Sequence, residues 1–145
     1  MITIIQRVTQ ASVTVNYQII GNIEQGIMAL VAVEKNDTVA IAERLIERIL
    51  NYRIFADSDD KMNLSLRDIH GGLLLVPQFT LAANTDKGNR PSFSSAASPE
   101  FGCEMFSYLQ KYVLTVYDNV QFGEFGADMK VALINDGPVT FTLKV

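Results

Sequence analysis

The chain has 145 residues, of which 48% are hydrophobic, so it can bury a core of its own, and residues 1–145 fit one domain. Its 12 basic and 16 acidic residues give a net charge of −4, which argues against a broad nucleic-acid surface, so an RNA partner would be gripped locally. The N-terminus does not resemble a signal peptide, and no apolar run approaches about 18 residues. We therefore expect a cytoplasmic protein with no membrane partner.

The first part of the chain is rich in Ile, Val and Thr that alternate with polar residues. This alternation predicts short strands over residues 2–9 and 11–16, a turn at 16–18 and a returning strand over 19–23. The continuous apolar runs at 27–33 and 73–76 are typical of strands buried on both faces. Further strands are expected over residues 52–56 and 120–125.

Two helices are predicted from their start signals and apolar faces. Asn36-Asp37-Thr38 supplies an N-cap for the first helix. Ser98-Pro99-Glu100 combines a cap, a proline in the first turn and an acidic residue near the positive end of the second helix dipole. The order of elements predicts an α/β (α+β) single domain with mixed sheets and two helices on one side, in a three-layer β-β-α arrangement.

Two stretches stand out as candidates for a functional site. Asn135-Asp136-Gly137-Pro138-Val139-Thr140 separates two alternating segments, so it is either a turn within a hairpin or a rigid backbone probe whose carbonyls point into a site. Pro77-Gln78-Phe79-Thr80-Leu81 follows a buried strand. It is either an ordinary strand end or a place where backbone N–H groups, the Thr80 hydroxyl and the Gln78 amide meet a developing oxyanion.

Side chains that usually carry catalysis are scarce. His70 is the only histidine and lies in a predicted surface turn, and Cys103, the only cysteine, is expected to be buried in the second helix. The acidic residues 57–60 lack the glycine and the distal glutamate of a calcium loop, which favours a solvated turn. Because the sequence also lacks a phosphate loop and a nucleophile elbow, we expect chemistry based on backbone dipoles, hydroxyls and the substrate's own groups, with no metal or cofactor.

Taken together, Gln78-Phe79-Thr80-Leu81 and Asn135-Asp136-Gly137-Pro138-Val139-Thr140 resemble the D-aminoacyl-tRNA deacylase family. The resemblance covers the whole chain through these further stretches: Ile5-Gln6-Arg7-Val8, Ala11-Ser12-Val13-Thr14-Val15, Val33-Glu34-Lys35, Tyr52-Arg53-Ile54-Phe55, Lys61-Met62-Asn63, Gly88-Asn89-Arg90-Pro91-Ser92-Phe93 and Phe125-Gly126-Ala127-Asp128-Met129. Such a combination is far more specific than a single short pattern.

The resemblance implies a cytoplasmic homodimer that hydrolyses the ester between a D-amino acid and the 3′ adenosine of tRNA, with no DNA partner. In that family each subunit inserts a cis Gly–Pro segment into the active site of the other subunit. Gly137 and Pro138 would then hold the substrate's α-amino group with their carbonyls and collide with any L side chain. Glycine has no side chain, so mischarged Gly-tRNA would also be a substrate.

The same resemblance implies that Gln78, Phe79 and Thr80 line the scissile ester as the catalytic group, and that Phe125 and Met129 border the adenine. Two mechanisms are associated with the family: attack by the threonine hydroxyl, and activation by the 2′-hydroxyl of the terminal ribose. Because no base lies near Thr80 in the sequence, the second mechanism is favoured.

Pro77 departs from the family pattern, which usually has a serine before Gln-Phe-Thr. A proline at this position is also similar to a sister family that prefers L-alanine and keeps its Gly–Pro bond trans. Phe79 and the complete run from Asn135 to Thr140 favour the D-specific family. The alternatives are the L-Ala-preferring sister deacylase and a non-catalytic dimer that binds the tRNA end. A purely structural dimer, in which both motifs are turns, is a third.

Overall fold

A computed structural model describes all residues from Met1 to Val145. The strands are β1 (Ile2–Val15), β2 (Gln18–Ile23), β3 (Gly26–Ala32), β4 (Phe55–Ala56), β5 (Met62–Leu64), β6 (Gly72–Pro77), β7 (Val120–Phe122) and β8 (Lys130–Lys144). The helices are α1 (Val39–Asn51), α2 (Leu66–Ile69) and α3 (Pro99–Val116), with a 3₁₀ helix over Phe79–Ala82. None of the helices is both long and apolar enough to cross a membrane.

The main sheet is arranged around β1, which is one strand and not the two that were predicted over 2–9 and 11–16. Strand β8 runs antiparallel along β1 from Ile2 to Thr14. The other edge of β1 pairs first with β3, over Ile2–Val8, and then with β2, over Ala11–Val15. Strands β6 and β7 continue the sheet in parallel from β3. The mixed sheet is therefore confirmed.

Of the two alternatives for the stretch around Gly137, the turn within a hairpin is wrong. Both halves of β8 pair with the same strand, β1, in the same direction, so the chain does not fold back at this point. The partner of Gln6 is Thr140, whereas the partner of Val8 is Asn135. The residues between these two partners bulge out of the ladder, which is how a Gly–Pro pair is accommodated within a strand.

The strands β3 and β6 are buried on both faces, as predicted, and they separate two apolar cores. Ile27 and Leu73 face the core that contains α1 and α3. Met28 and Leu74 face the opposite core, which is closed by the distal half of β1 and by β2. Because side chains alternate along a strand, each apolar run serves both cores. The resulting β-β-α layering agrees with the predicted architecture.

Both long helices begin where their caps predict. Thr38 accepts a hydrogen bond from the Ile41 N–H at 3.3 Å, and Ser98 accepts one from the Phe101 N–H at 3.2 Å. The short helix α2 was missed although Ser65 and Asp68 form a capping box. The strands predicted over 52–56 and 120–125 are shorter, as β4 and β7. Cys103 is exposed on α3, so the prediction that it fills the core is wrong.

Candidate active site

The stretch after β6 forms a stiff corner. Val31 of β3 pairs with Pro77, and its carbonyl accepts a hydrogen bond from the Gln78 N–H at 2.7 Å. The Leu81 N–H then donates to the Gln78 carbonyl at 3.2 Å, which starts the 3₁₀ helix. The N–H groups of Phe79 and Thr80 precede this first bond and therefore have no acceptor within the helix.

Two side chains on this corner, those of Gln78 and Thr80, are joined by a hydrogen bond. The Gln78 amide donates to the Thr80 hydroxyl, so these two predicted residues are brought together at the surface. Pro77 causes no loss of hydrogen bonding to β3, because the bond to Val31 comes from Gln78. A backbone without an N–H is therefore compatible with the strand end at Pro77.

A cavity of about 240 Å³ opens beside this corner. It is lined by Val31, Val33, Pro77, Gln78, Phe79, Ala97, Ser98, Pro99, Gly102, Phe106, Phe125 and Gly126. No acidic or basic side chain, histidine, cysteine or tyrosine is among these residues. The walls therefore offer apolar area, an amide, a hydroxyl and backbone groups, but no side chain able to act as a general base at neutral pH.

Phe125 also lines the cavity, and the position of its ring depends on a glycine of α3. A Cβ at Gly102 would lie 3.1 Å from the Phe125 Cζ, so only glycine leaves full room for the ring. The centroids of the Phe125 and Phe106 rings are 6.4 Å apart. Met129, in contrast to its predicted role beside the adenine, is not among the cavity-lining residues; a Cβ at Gly123 would lie 2.8 Å from the Met129 Sδ and 3.2 Å from the Pro77 Cδ.

The bulge of β8 presents Gly137 and Pro138, which are exposed and do not line the cavity of their own chain. The peptide bond between them is cis, and Gly137 has a φ of +121°. Asn135 fastens the bulge from inside. Its side-chain oxygen accepts from the Val139 N–H at 3.0 Å, and its amide donates to the Thr140 hydroxyl at 2.8 Å.

Arg7 is a residue whose role the sequence did not indicate. Its guanidinium donates to the Asp136 carbonyl at 3.2 Å and to the Ile54 carbonyl at 2.7 Å. It also pairs with the Asp136 carboxylate at 3.2 Å. A Cβ at Gly137 would lie 2.9 Å from the Arg7 Nη2. Arg7 therefore sets the position of the bulge, which only the three-dimensional contacts reveal.

The other chemically interesting side chains lie away from the cavity. His70 ends α2 with a left-handed backbone and is exposed. In the acidic turn, a hydrogen bond from Asn63 and backbone N–H bonds from Lys61 and Asp59 hold the pKa of Asp57 below its usual value. This carboxylate thus stabilises the turn itself, and no group of three or more metal-ligating side chains of the His, Cys, Asp or Glu type occurs in the structure.

Glu34 is another carboxylate with a shifted pKa, and it follows the cavity-lining Val33 in the chain. Its backbone forms a bridge with Ala96, between the cavity-lining Val33 and Ala97. Partial burial opposes its ionisation, but hydrogen bonds from the Met1 ammonium group, at 3.0 Å, and from Lys144, at 3.2 Å, hold its pKa below the usual value. None of the residues of this ion-paired cluster lines the cavity.

Comparison with known proteins agrees with the geometry. The family model described as D-Tyr-tRNA(Tyr) deacylase matches residues 4–144. The chain is 55% identical to a D-aminoacyl-tRNA deacylase of Pseudoalteromonas atlantica over 145 residues, covering 100% of both chains. It is 54% identical to one of Pseudomonas putida KT2440 over 142 residues, covering 98% of both.

Solved structures agree as well. A protein described as c-Myc DNA Unwinding Element Binding Protein matches with a TM-score of 0.95 and 36% identity, covering 100% of this chain and 99% of that one. A probable eukaryotic D-amino acid tRNA deacylase shares the fold, with a TM-score of 0.88 at 17% identity, covering 99% of this chain and 98% of the other. With full-length matches at more than half identity, the chain belongs to the D-Tyr-tRNA(Tyr) deacylase family and is an enzyme of the hydrolase class.

Proposed function

We propose that this chain hydrolyses the ester bond of D-aminoacyl-tRNA, and of mischarged Gly-tRNA, and thereby removes wrongly charged tRNA in the cytoplasm. The observation that carries the proposal is the cavity beside Gln78, Phe79 and Thr80, in a chain that matches the family over its full length. The cavity has the features of a site for a flat, uncharged group attached to an ester.

The terminal adenosine would enter the cavity and lie against Phe125. The flat Phe125 ring, for which Gly102 leaves room, suits a base, because aromatic side chains stack on nucleobases. Met129 packs beside Gly123 and outside the cavity lining, so it would support the cavity without contacting the base. The volume of about 240 Å³ suits one base and not a folded RNA helix.

The ester would then lie over the start of the 3₁₀ helix. The N–H groups of Phe79 and Thr80 lack acceptors within that helix and could stabilise an oxyanion. The Thr80 hydroxyl accepts a hydrogen bond from Gln78 and has no titratable neighbour in the cavity lining. An unassisted threonine is a weak nucleophile, so we assign activation to the 2′-hydroxyl of the terminal ribose.

Discrimination between D and L substrates would come from a second copy of the chain. Gly137 and Pro138 are exposed and outside their own cavity, so they are free to enter a partner's cavity in a homodimer. Their carbonyls would hold the α-amino group, and the wall would exclude an L side chain without reading any D side chain. The exposed apolar residues Val131 and Ile134 of the same strand support burial against a partner.

Pro77 gives the sister activity on L-alanine one observation in its favour. We test both activities by single-turnover deacylation of D-Tyr-tRNA, L-Tyr-tRNA, Gly-tRNA and L-Ala on a non-cognate tRNA. We expect hydrolysis of the D-Tyr and Gly esters only. Preferential hydrolysis of the L-Ala ester would replace the proposal with the sister activity, and tRNA binding without hydrolysis would leave only a binding protein.

The cross-subunit arrangement can be tested by mixing two defective chains. Gly137→Ala would crowd Arg7 and force alanine to a φ of +121°, so the Gly137–Pro138 segment would no longer position the substrate. Phe125→Ala would remove the ring that lines the cavity, and each variant alone should have low deacylation activity. If each site combines one chain's cavity with the other chain's Gly137, a mixed dimer regains one working site. If the two variants regain deacylation activity after they are refolded together, the proposal is supported. If the mixture stays as inactive as each variant alone, each chain builds its own site. Thr142→Ala, at an exposed position of β8, is the control.

A further inference from the structure

A pair of aromatic side chains leads away from the cavity along the surface. Phe79 lines the cavity, and its ring centroid lies 5.2 Å from that of Phe93, at an interplanar angle of 47°. The two residues are 57% and 42% exposed. Exposed aromatic rings in contact, directly beside a cavity that suits a base, form a continuous apolar track on an otherwise polar loop.

Phe93 ends a hairpin-like loop, residues 84–93, whose base is closed by backbone hydrogen bonds. The Asn84 N–H donates to the Ser92 carbonyl at 2.7 Å, and the Ser92 N–H donates back at 3.0 Å. Ser95 fastens the following segment to the 3₁₀ helix, because its hydroxyl donates to the Ala82 carbonyl at 2.6 Å. The loop is therefore attached to the cavity rim at both ends.

The tip of this loop carries Lys87 and Arg90, which are exposed and make no hydrogen bond or ion pair through their side chains. The acidic neighbour, Asp86, accepts a hydrogen bond from the Asn84 amide at 3.1 Å. In a chain with a net charge of −4, two unpaired cations beside two exposed aromatic rings match single-stranded RNA: rings for bases and cations for phosphates.

We propose that residues 84–93 bind the unpaired nucleotides that precede the terminal adenosine of the tRNA. Phe93 stacks on a base, while Lys87 and Arg90 contact the phosphates. The inference rests on the proposed function, because it assumes that the terminal adenosine occupies the cavity. Lys87 and Arg90 would thus provide a local positive patch that binds RNA, although the net charge of the protein is negative.

The test compares two substrates: full-length D-Tyr-tRNA, and the D-tyrosyl ester of adenosine, which lacks the preceding nucleotides. Phe93→Leu should raise the KM for the tRNA at least about fivefold, as expected for loss of one stacked base. The double variant Lys87→Ala/Arg90→Ala should also raise it, through the loss of two phosphate contacts. Neither should change kcat or the KM for the adenosine ester. Phe93→Tyr keeps a stacking ring and should behave like the wild type.

Salt dependence separates phosphate contacts from packing. For single strands, each contact contributes about −0.7 to the slope of log affinity against log salt, so the double variant should flatten the slope by about 1.4. Fluorescence anisotropy with a labelled ACCA tetranucleotide measures this without catalysis. The matched control is Arg44→Ala/Lys61→Ala, which removes one exposed arginine and one exposed lysine outside residues 84–93 and should leave the slope unchanged.

The outcomes are distinguishable. Equal effects on both substrates, or an unchanged salt slope in the double variant, would overturn the inference and leave the proposed function standing. Wild-type protein that hydrolyses neither substrate would overturn both. Thermal denaturation of Phe93→Leu and Phe93→Tyr verifies that a change in KM does not come from an unfolded loop region.

Discussion

Gly102→Ala provides a test in which stability and activity should move independently. Glycine inside α3 lowers helix stability, and alanine should gain about 0.5–1 kcal/mol there. Its new Cβ would lie 3.1 Å from Phe125 Cζ and 3.4 Å from Cε2, and the next neighbour, Ala97, is 4.0 Å away. The only group that must yield is therefore the half-buried ring of Phe125.

The expected size of the effect follows from that ring. Because Phe125 can shift outward by a few tenths of an ångström, we expect the free energy of unfolding to stay within about 1 kcal/mol of the wild type or to rise. A displaced ring that loses half of a base–aromatic contact, which is worth about 1–3 kcal/mol in full, would raise KM roughly two- to twelvefold. The turnover number should not change, because the Gln78 corner is untouched.

Urea denaturation measures stability and steady-state deacylation of D-Tyr-tRNA measures KM, with Ser107→Ala on the same helix as the control. An unchanged KM would mean that the Phe125 ring does not contact the substrate, and the assignment of the adenine to this cavity would fail. A loss of stability above about 2 kcal/mol would instead show that the ring cannot adjust, contrary to the packing argument.

Four further outcomes are expected. Arg7→Ala should lower the free energy of unfolding by about 1.5–3 kcal/mol, measured in urea, because the Ile54 carbonyl loses a charged hydrogen-bond donor, and it should also weaken D/L discrimination. His70→Ala and treatment with a chelator should each leave the deacylation rate within about tenfold, or roughly 1.4 kcal/mol of barrier. Thr80 should form no aminoacyl adduct detectable by mass spectrometry, and a tRNA that ends in 2′-deoxyadenosine should resist cleavage. The lowered pKa of Glu34 means that its contribution to stability is present above its unfolded pKa and is lost as the pH falls through the folded value; urea denaturation followed by circular dichroism should show the wild type more stable than Glu34→Gln near neutral pH, with a difference that shrinks as the pH is lowered.

The parts of the fold that depend on local sequence could be predicted. Thr38 and Ser98 cap helices through bonds three residues away, and such signals are visible in the sequence. The burial of β3 and β6 on both faces could likewise be predicted from their continuous apolar residues. The path of β8 could not be predicted from the sequence, because Gly137-Pro138 has the composition of a turn. Only the register with β1 shows that the chain continues in the same direction past Gly137 and Pro138.

The candidate site divides in the same way. Gln78 and Phe125 were identified through the motifs and do line the cavity. Arg7 and Gly102 were not identified from the sequence. Arg7 matters through its hydrogen bond to Ile54, and Gly102 through the room that it leaves for Phe125, and both partners are more than twenty residues away along the chain. A glycine inside a predicted helix was the one available signal, since such a residue is unfavourable unless something requires the space.

The two parts of the site are joined by the strand β1. Thr3 pairs with Val31, which holds the Gln78 corner, and Arg7 on the same strand holds the bulge of β8. From Thr3 to Arg7, four residues of extended chain span about 13 Å. A hydrogen-bonded strand therefore fixes the distance between the Gln78 corner and the bulge, and local motion changes this distance little. A wall that rejects a substrate by steric clash must be stiff, because a wall that can retreat by an ångström rejects nothing. In a dimer, two such strands would set where each wall meets the opposite cavity, so selectivity would depend on how the subunits dock and not on the identity of the D side chain.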